Sequence, residues 1–355
     1  MGAGDQCDKD SAGSPRVLPD LRHCSCPFQS VKERWQGLSA KSIAERTRLE
    51  ALVLDIGRSR AEARASRSTA QQATPRHASK SVLPSWPESM VAIPNVFARL
   101  SLFNVRNINE PRQYLVGAPL QCTDRSVRAT YTGLELRQID FSNYLQILYL
   151  MRGKGLGELV EFSAHKVIQE GRRITSSKQN PTYRRRLMDS LYRLRLGTLT
   201  LSAERLGGKV TLPLLSALET HDRRTGEELS TWKVAVDPKM ALLFGKKSNT
   251  WLEWERHRRL PAGLASWLHG YFASHAENLP VTLARIQRAS GAGTKDPARF
   301  AQLVRQALQV LENEKFLVSG EVEGGVIRVQ RVPGFLKSTY EVSGCADETA
   351  DLGRN

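Results

Sequence analysis

The sequence has no apolar run approaching the roughly 18 residues needed to cross a bilayer. Its opening, MGAGDQCDKD, lacks the basic and then apolar layout of a secretory signal. A bacterial cytoplasmic location is the expectation. Cysteine is scarce: Cys7, Cys24, Cys26, Cys122 and Cys345 are scattered over 355 residues, an odd number that suits a reducing compartment better than a disulfide framework. His23, Cys24 and Cys26 lie close together, yet structural zinc draws on two ligand pairs and no second pair follows. No metal site is expected, only reduced thiols in a tail.

Acidic residues are also in short supply. Against 52 lysines and arginines stand 36 aspartates and glutamates, a formal charge of +16. That imbalance implies a polyanionic partner, either nucleic acid or an acidic membrane surface. The signatures of nucleotide chemistry are missing too. There is no G-x-x-x-x-G-K-[ST] loop, and Gly207-Gly208-Lys209 is followed by valine. Gly153, Gly155 and Gly157 follow an apolar helix and precede a strand, the reverse of the order that cradles a pyrophosphate. No two histidines stand one residue apart, as the metal site of a rolling-circle nuclease requires. His221-Asp222-Arg223-Arg224 matches the H-x-x-R of tyrosine recombinases but reads as a turn between strands. No enzymatic activity and no cofactor are expected.

What is present can fold. Hydrophobic residues make up 40% and charged residues 25%, ordinary for a globular chain, and the length suits two domains and a tail. Residues 1–82 read as a disordered or partly helical arm: Ser59 to Lys80 is low in complexity, and Ile43, Leu49, Leu52, Val53 and Ile56 recur at helical spacing. Residues 334–355 read as a flexible tail.

Between them one pattern occurs twice. Ile139 to Met151 predicts a helix, Glu158 to Phe162 a strand and Ser163 to Gln169 a second helix. Asn180-Pro181 opens a third helix, with the stripe Leu187, Leu191 and Leu194, that stops at Gly197. Thr198 to Ser202 and Val210 to Ala217 read as strands around the Gly207-Gly208 turn, followed by a strand from Leu229 to Val236. The second copy has a helix from Ala262 to Ser274, an LPV segment and a helix from Thr282 to Ala289. Asp296-Pro297 then opens a helix to about Asn313 with Phe300, Val304, Leu308 and Leu311 on one face, before a hairpin around Gly324-Gly325. Helix, strand, helix, turn, helix and hairpin is the order of a winged helix. The expected fold is α+β, with tandem winged-helix (helix-turn-helix with β wing) domains at 83–245, including an N-terminal extension, and 246–333.

In a helix-turn-helix the last helix enters the major groove. From Arg172 to Arg195 eight basic residues face one acid, Asp189. Arg172, Arg173, Lys178, Tyr183, Arg184 and Arg185 are therefore candidate DNA contacts, with Arg193 and Arg195 reaching phosphates only. Arg285, Arg288, Lys295 and Arg299 are the counterparts in the second copy, Arg299 lying in the first turn of its helix. Lys209 and Arg328 on the hairpins read as surface charges or phosphate contacts. Lys246 and Lys247 open a basic segment containing Trp251 and Trp254. Such tryptophans can stack on unpaired bases, but large aromatics are read first as packing one domain on the other.

The words SWPESMVAIPN from Ser85 to Asn95, LFNVRN from Leu102 to Asn107 and TYTGLELRQID from Thr130 to Asp140 resemble the TrfA family of plasmid replication initiators. Phe244, Trp254-Glu255, Leu260 and Tyr271-Phe272-Ala273-Ser274-His275 continue the resemblance over about 250 residues. It implies a protein that binds directly repeated, double-stranded origin DNA through two winged helices, with monomers in equilibrium with dimers. It also implies recruitment of the host replication initiator and replicative helicase. Members carry a glutamine-led pentapeptide for the polymerase sliding clamp. Here only Arg99-Leu100-Ser101-Leu102-Phe103 comes near it, with arginine in place of glutamine, and Leu102 and Phe103 read as buried. The rival reading from residues alone is a winged-helix transcription repressor.

Overall fold

The structure, a computed structural model, describes residues 86–172, 181–222, 224–245 and 248–333, which fall within one compact unit. The expectations for 1–82 and 334–355, and for Arg173, Lys178, Lys246 and Lys247, lie outside the described residues. The described chain mixes helix and strand, and no described helix is long and apolar enough to cross a membrane.

It opens with strand β1 (Met90–Pro94) running into the short helix α1 (Asn95–Arg99), then β2 (Phe103–Asn104), β3 (Tyr114–Leu120), β4 (Arg128–Leu134) and β5 (Leu136–Arg137). The first repeat follows: α2 (Gln138–Leu150), β6 (Val160–Ser163), α3 (Ala164–Arg172) and α4 (Pro181–Leu196), then β7 (Thr198–Ala203), β8 (Gly208–Pro213), β9 (Leu215–His221) and β10 (Glu228–Val236). After β11 (Asn249–Glu253) and α5 (Trp254–Arg259) comes the second: α6 (Leu264–Ala273), β12 (Val281–Thr282), α7 (Leu283–Ser290), α8 (Pro297–Asn313), β13 (Leu317–Glu323) and β14 (Val326–Arg331).

Local chemistry sets the helix ends. Asp296 accepts the Ala298 N–H at 2.9 Å, and Pro297, which has no N–H to leave orphaned, starts α8. Thr282 caps α7 by accepting the Arg285 N–H at 3.3 Å. At the end of α4 the chain passes under the ring of Tyr131, and a Cβ on Gly197 would collide with the Tyr131 hydroxyl, so only glycine fits. The expected stripes point inward: Leu187, Leu191 and Leu194 are at most 4% exposed, as are Phe300, Val304, Leu308 and Leu311.

The two repeats share their strand pairing. In the first, β6 pairs with β10 and β10 with β9; in the second, β12 pairs with β14 and β14 with β13, all antiparallel. This corrects one expectation. The hairpin that closes on the first repeat's helices is β9–β10, turning at Asp222–Glu227, and not the Gly207-Gly208 hairpin. That hairpin, β7–β8, instead extends β3 and β4 into a four-stranded sheet. The supposed single strand Val210 to Ala217 is two strands in two sheets. Leu212, Leu214 and Leu215 are all at most 1% exposed, and the two adjacent buried leucines break the alternation of a single strand where the chain crosses between sheets.

The segment between the repeats carries a strand of its own. Strand β11 pairs antiparallel with β1, Met90 opposite Glu253 and Pro94 opposite Asn249. The pairing is nearly two-fold symmetric, since the Asn95 N–H donates to the Ser248 carbonyl at 2.7 Å and the Trp254 N–H to the Ser89 carbonyl at 2.8 Å. Each strand then turns straight into a helix, α1 or α5. Arg99 at the end of α1 bonds the hydroxyl and carbonyl of Ser274 beyond α6. The N-terminal extension expected to belong with the first repeat thus packs on the second as well.

One buried carboxylate orders the first repeat. Asp140, with 0% exposure in the first turn of α2, accepts the Arg137 N–H at 2.8 Å and the Ser190 hydroxyl at 2.7 Å. It also accepts Arg193 through both Nε (3.1 Å) and Nη2 (2.8 Å), and Arg112 at 2.8 Å. Replacing Asp140 with asparagine leaves Arg112 and Arg193 facing each other without the compensating charge. Breaking a buried pair this way costs about 3–5 kcal/mol. Urea unfolding of Asp140→Asn is expected to show that loss, and a loss under about 1 kcal/mol would overturn the assignment.

A second prediction concerns acid. His257 and His269 are at most 2% exposed, stack 5.9 Å apart and are hemmed in by Trp254, Phe141 and Phe316. Burial pushes His257 down to about 4, and burial, reinforced by His257 and Arg256, pushes His269 well below the ordinary range. Both are neutral in the folded protein, so the unfolded chain takes up protons first as pH falls. Their contribution is complete above about pH 6.5 and is lost below it, at about 1.4 kcal/mol per unit for each histidine. Urea midpoints should fall between pH 7 and 5, and His269→Leu should flatten the decline. A midpoint unchanged over that range would show that the pair is not held neutral.

Candidate nucleic-acid interface

Helix α4 divides its basic residues. Arg185 and Arg186 are exposed and Tyr183 is half-buried, whereas Arg193 is spent on Asp140. Arg184 is engaged by the β9–β10 hairpin: it donates to Glu228 at 2.6 Å and to the Leu229 carbonyl at 3.1 Å, and lies 5.1 Å over the ring of Trp232. The structure therefore gives Arg184 the task of holding the hairpin against the helix. Arg172 is the last residue of α3.

In the second repeat Arg288, Lys295 and Arg299 are exposed. Arg299 donates to Gln302, and Arg285 reaches the Thr123 carbonyl at 2.6 Å, tying α7 to the loop before β4. Lys209 is exposed on β8, in the four-stranded sheet and not on the hairpin paired with β6. Arg328 sits opposite Glu321 in the β13–β14 ladder, 3.5 Å from Glu323, so two acids stand beside this arginine.

The tryptophans between the repeats pack inward. Trp254 is stacked on Tyr149 at 5.0 Å and Trp251 stands edge-on to Trp86 at 6.5 Å. The neighbouring arginines are engaged as well: Arg256 with Glu253 and the Glu314 carbonyl, Arg258 with Glu255, and Arg259 with Glu314. Leu102 and Phe103 are 2% and 1% exposed, so a partner could take hold of them only by opening the core.

The turn read at His221-Asp222 is the β9–β10 turn, whereas the make-up of the exposed face of α8 escaped the sequence reading. The β9–β10 turn is shaped by Asp222, whose carboxyl accepts the N–H groups of Thr225 and Arg224 and is held below its ordinary range by those bonds. The exposed face of α8 carries Arg299, Gln302, Arg305, Gln306 and Gln309, with no acid before Glu312. Helical spacing opposite Phe300 and Val304 was the available signal for that face.

A family model described as TrfA protein matches residues 45–331. The chain belongs to the TrfA family. The plasmid replication initiator protein TrfA of Escherichia coli is 27% identical to this TrfA-family chain over 247 residues, 69% of the chain and 63% of the relative's own length. The match thus spans less than two thirds of that relative. Among solved structures, domains 2 and 3 of RctB give a TM-score of 0.44 at 13% identity, covering 67% of this chain and 98% of that one. The Pi initiator protein in complex with iteron DNA gives 0.43 at 12%, covering 69% and 98%.

The split of roles along α4 is testable without DNA. Arg184→Ala removes a half-exposed ion pair and a cation–π contact, together worth about 1–2 kcal/mol. Arg185→Ala should stay within about 0.5 kcal/mol of the parent. Equal urea midpoints for the two variants would show that Arg184 does not clamp the hairpin.

Proposed function

We propose that this protein initiates plasmid replication in the bacterial cytoplasm by gripping directly repeated origin sequences with two winged-helix units. The observation that carries this reading is the repeated topology. Twice, a strand leads into two helices and pairs with the far strand of the hairpin that follows them, which is the arrangement of a winged helix. We take the units as 83–245 and 246–333, with the N-terminal extension shared between them. Helices α4 and α8 are then the groove-entering helices, and the charge of +16 supplies the pull toward phosphate.

Within this reading Arg185 and Tyr183 approach the duplex from α4, Arg299 from α8, and Arg288 and Lys295 from the helix and turn before it. The role of wing passes from the Lys209 hairpin to β9–β10, with Arg224 near its tip. Binding bends or loosens the neighbouring duplex and gathers the host initiator and helicase. Recruitment draws its support from family membership and from the description of the Escherichia coli relative as a plasmid replication initiator.

Selection from a pool of random duplexes is expected to return direct repeats, and an isolated inverted repeat would point to a transcription repressor instead. Affinity should fall steeply with salt. About six neutralised phosphates give a slope of log K against log salt near roughly −5, and a slope shallower than about −2 would sink two-unit docking.

A further inference from the structure

The two groove-entering helices present different chemistry, and the difference identifies bases. On α4 the exposed side chains include Thr182, Arg185, Arg186, Asp189 and Tyr192, with Leu196 at its end: charge of both signs, a phenol and an apolar tip. On α8 they are amides and arginines without an acid. Side chains on α8 are further sorted by their contacts. Arg305 donates to the Val322 carbonyl at 3.3 Å, and Gln309 is tied to Glu312 and Asn313, so both are engaged with the protein. Arg299 donates to the Oε1 of Gln302. Gln306 is exposed and makes no hydrogen bond among the described residues.

We propose that α8 reads purines: Gln306 takes an adenine through its N6 and N7, and Arg299, oriented by Gln302, takes a guanine through O6 and N7. The proposal rests on the winged-helix reading above. An amide offers one donor and one acceptor side by side, the complement of adenine's major-groove edge, whereas the arginine fork offers two donors, the complement of guanine's. The acid-free face matters in the same way, because a carboxylate there would repel phosphate and accept from cytosine instead. Seven residues at about 1.5 Å per residue separate Arg299 from Gln306 by about 10 Å. At about 3.4 Å per base step this places guanine and adenine about three steps apart. Gln302 is a positioning residue, acting on the base through Arg299.

The test uses the full chain and duplexes it selects from a random pool, resynthesised with 7-deazaadenine at one adenine at a time. Removing N7 leaves Watson–Crick pairing intact and deletes one of the two bonds to the amide. One adenine is expected to be sensitive, weakening the wild type by roughly 5- to 20-fold, with a 7-deazaguanine-sensitive guanine about three steps away. Gln306→Ala should already be weakened and lose nothing more at that adenine. Selection with Gln306→Arg should return guanine there. These residues are exposed, so matched urea midpoints will show that the variants fold, and the 7-deaza scan of the wild type needs no variant. If no adenine in the selected site is sensitive, or Gln306→Ala stays as sensitive as the wild type, the assignment is overturned while sequence-specific binding stands. If the wild type enriches no sequence at all, the winged-helix reading falls and takes the assignment with it.

Discussion

The carboxylate of Asp140 is the constraint on which the first repeat depends. A lone ion in that position would be costly to bury, and its five donors offset the cost only because they arrive from three directions. Arg112 comes from the loop before β3, the Arg137 N–H from the start of α2, and Ser190 and Arg193 from α4. Satisfying one group therefore fixes the entry loop, α2 and α4 together. Arg193, a candidate phosphate contact by its place in a basic run, serves this purpose instead. Next to it Glu135 pairs with Arg106 at 3.2 Å and Arg137 at 3.6 Å, extending the same network.

The second repeat reaches the same topology by different means. Its last helix is held by close packing: Gly320 on β13 lies against Leu308, where a Cβ would come within 3.2 Å of the leucine side chain. A packed seam is insensitive to the charge of the opposite face. α8 spends Arg305 on the Val322 carbonyl of the hairpin and shows its amides outward, whereas α4 spends Arg193 inward on Asp140 and Arg184 sideways on Glu228. The difference in surface chemistry thus begins in the way each helix is anchored.

This also explains what the sequence could reveal. Helix stripes such as Leu187-Leu191-Leu194 depend on local period, and the Asp296-Pro297 start and the start at Pro181 are local signals, so both were legible. The family words were legible because they are uncommon and in order. The hairpin exchange was hidden, because whether β8 and β9 form one strand or two depends on the separate sheets they join through β7 and β10, which the local pattern does not encode. The engagement of Arg184 was hidden for the same reason: its partners Glu228 and Trp232 lie on a strand whose register the helix sequence does not encode. A run of basic residues shows how much charge is present, and only the fold shows which members are spent.

The ribbon of β1 and β11 ties these local outcomes together. Its two strands flank the first repeat in the sequence, so closing the ribbon closes a loop that contains that whole repeat. The entropy of closing so long a loop grows only logarithmically with its length, so modest gains can offset it. Five paired residues on each strand, the reciprocal bonds at Asn95 and Trp254, and the contacts of Trp86 with Trp251 and Trp254 with Tyr149 supply such gains. Neither repeat keeps this seam when the other is removed: without β1, β11 presents an open edge and Trp251 loses its aromatic neighbour. The two repeats therefore share one seam, built where β1 meets β11 and closed by aromatic contacts on both sides.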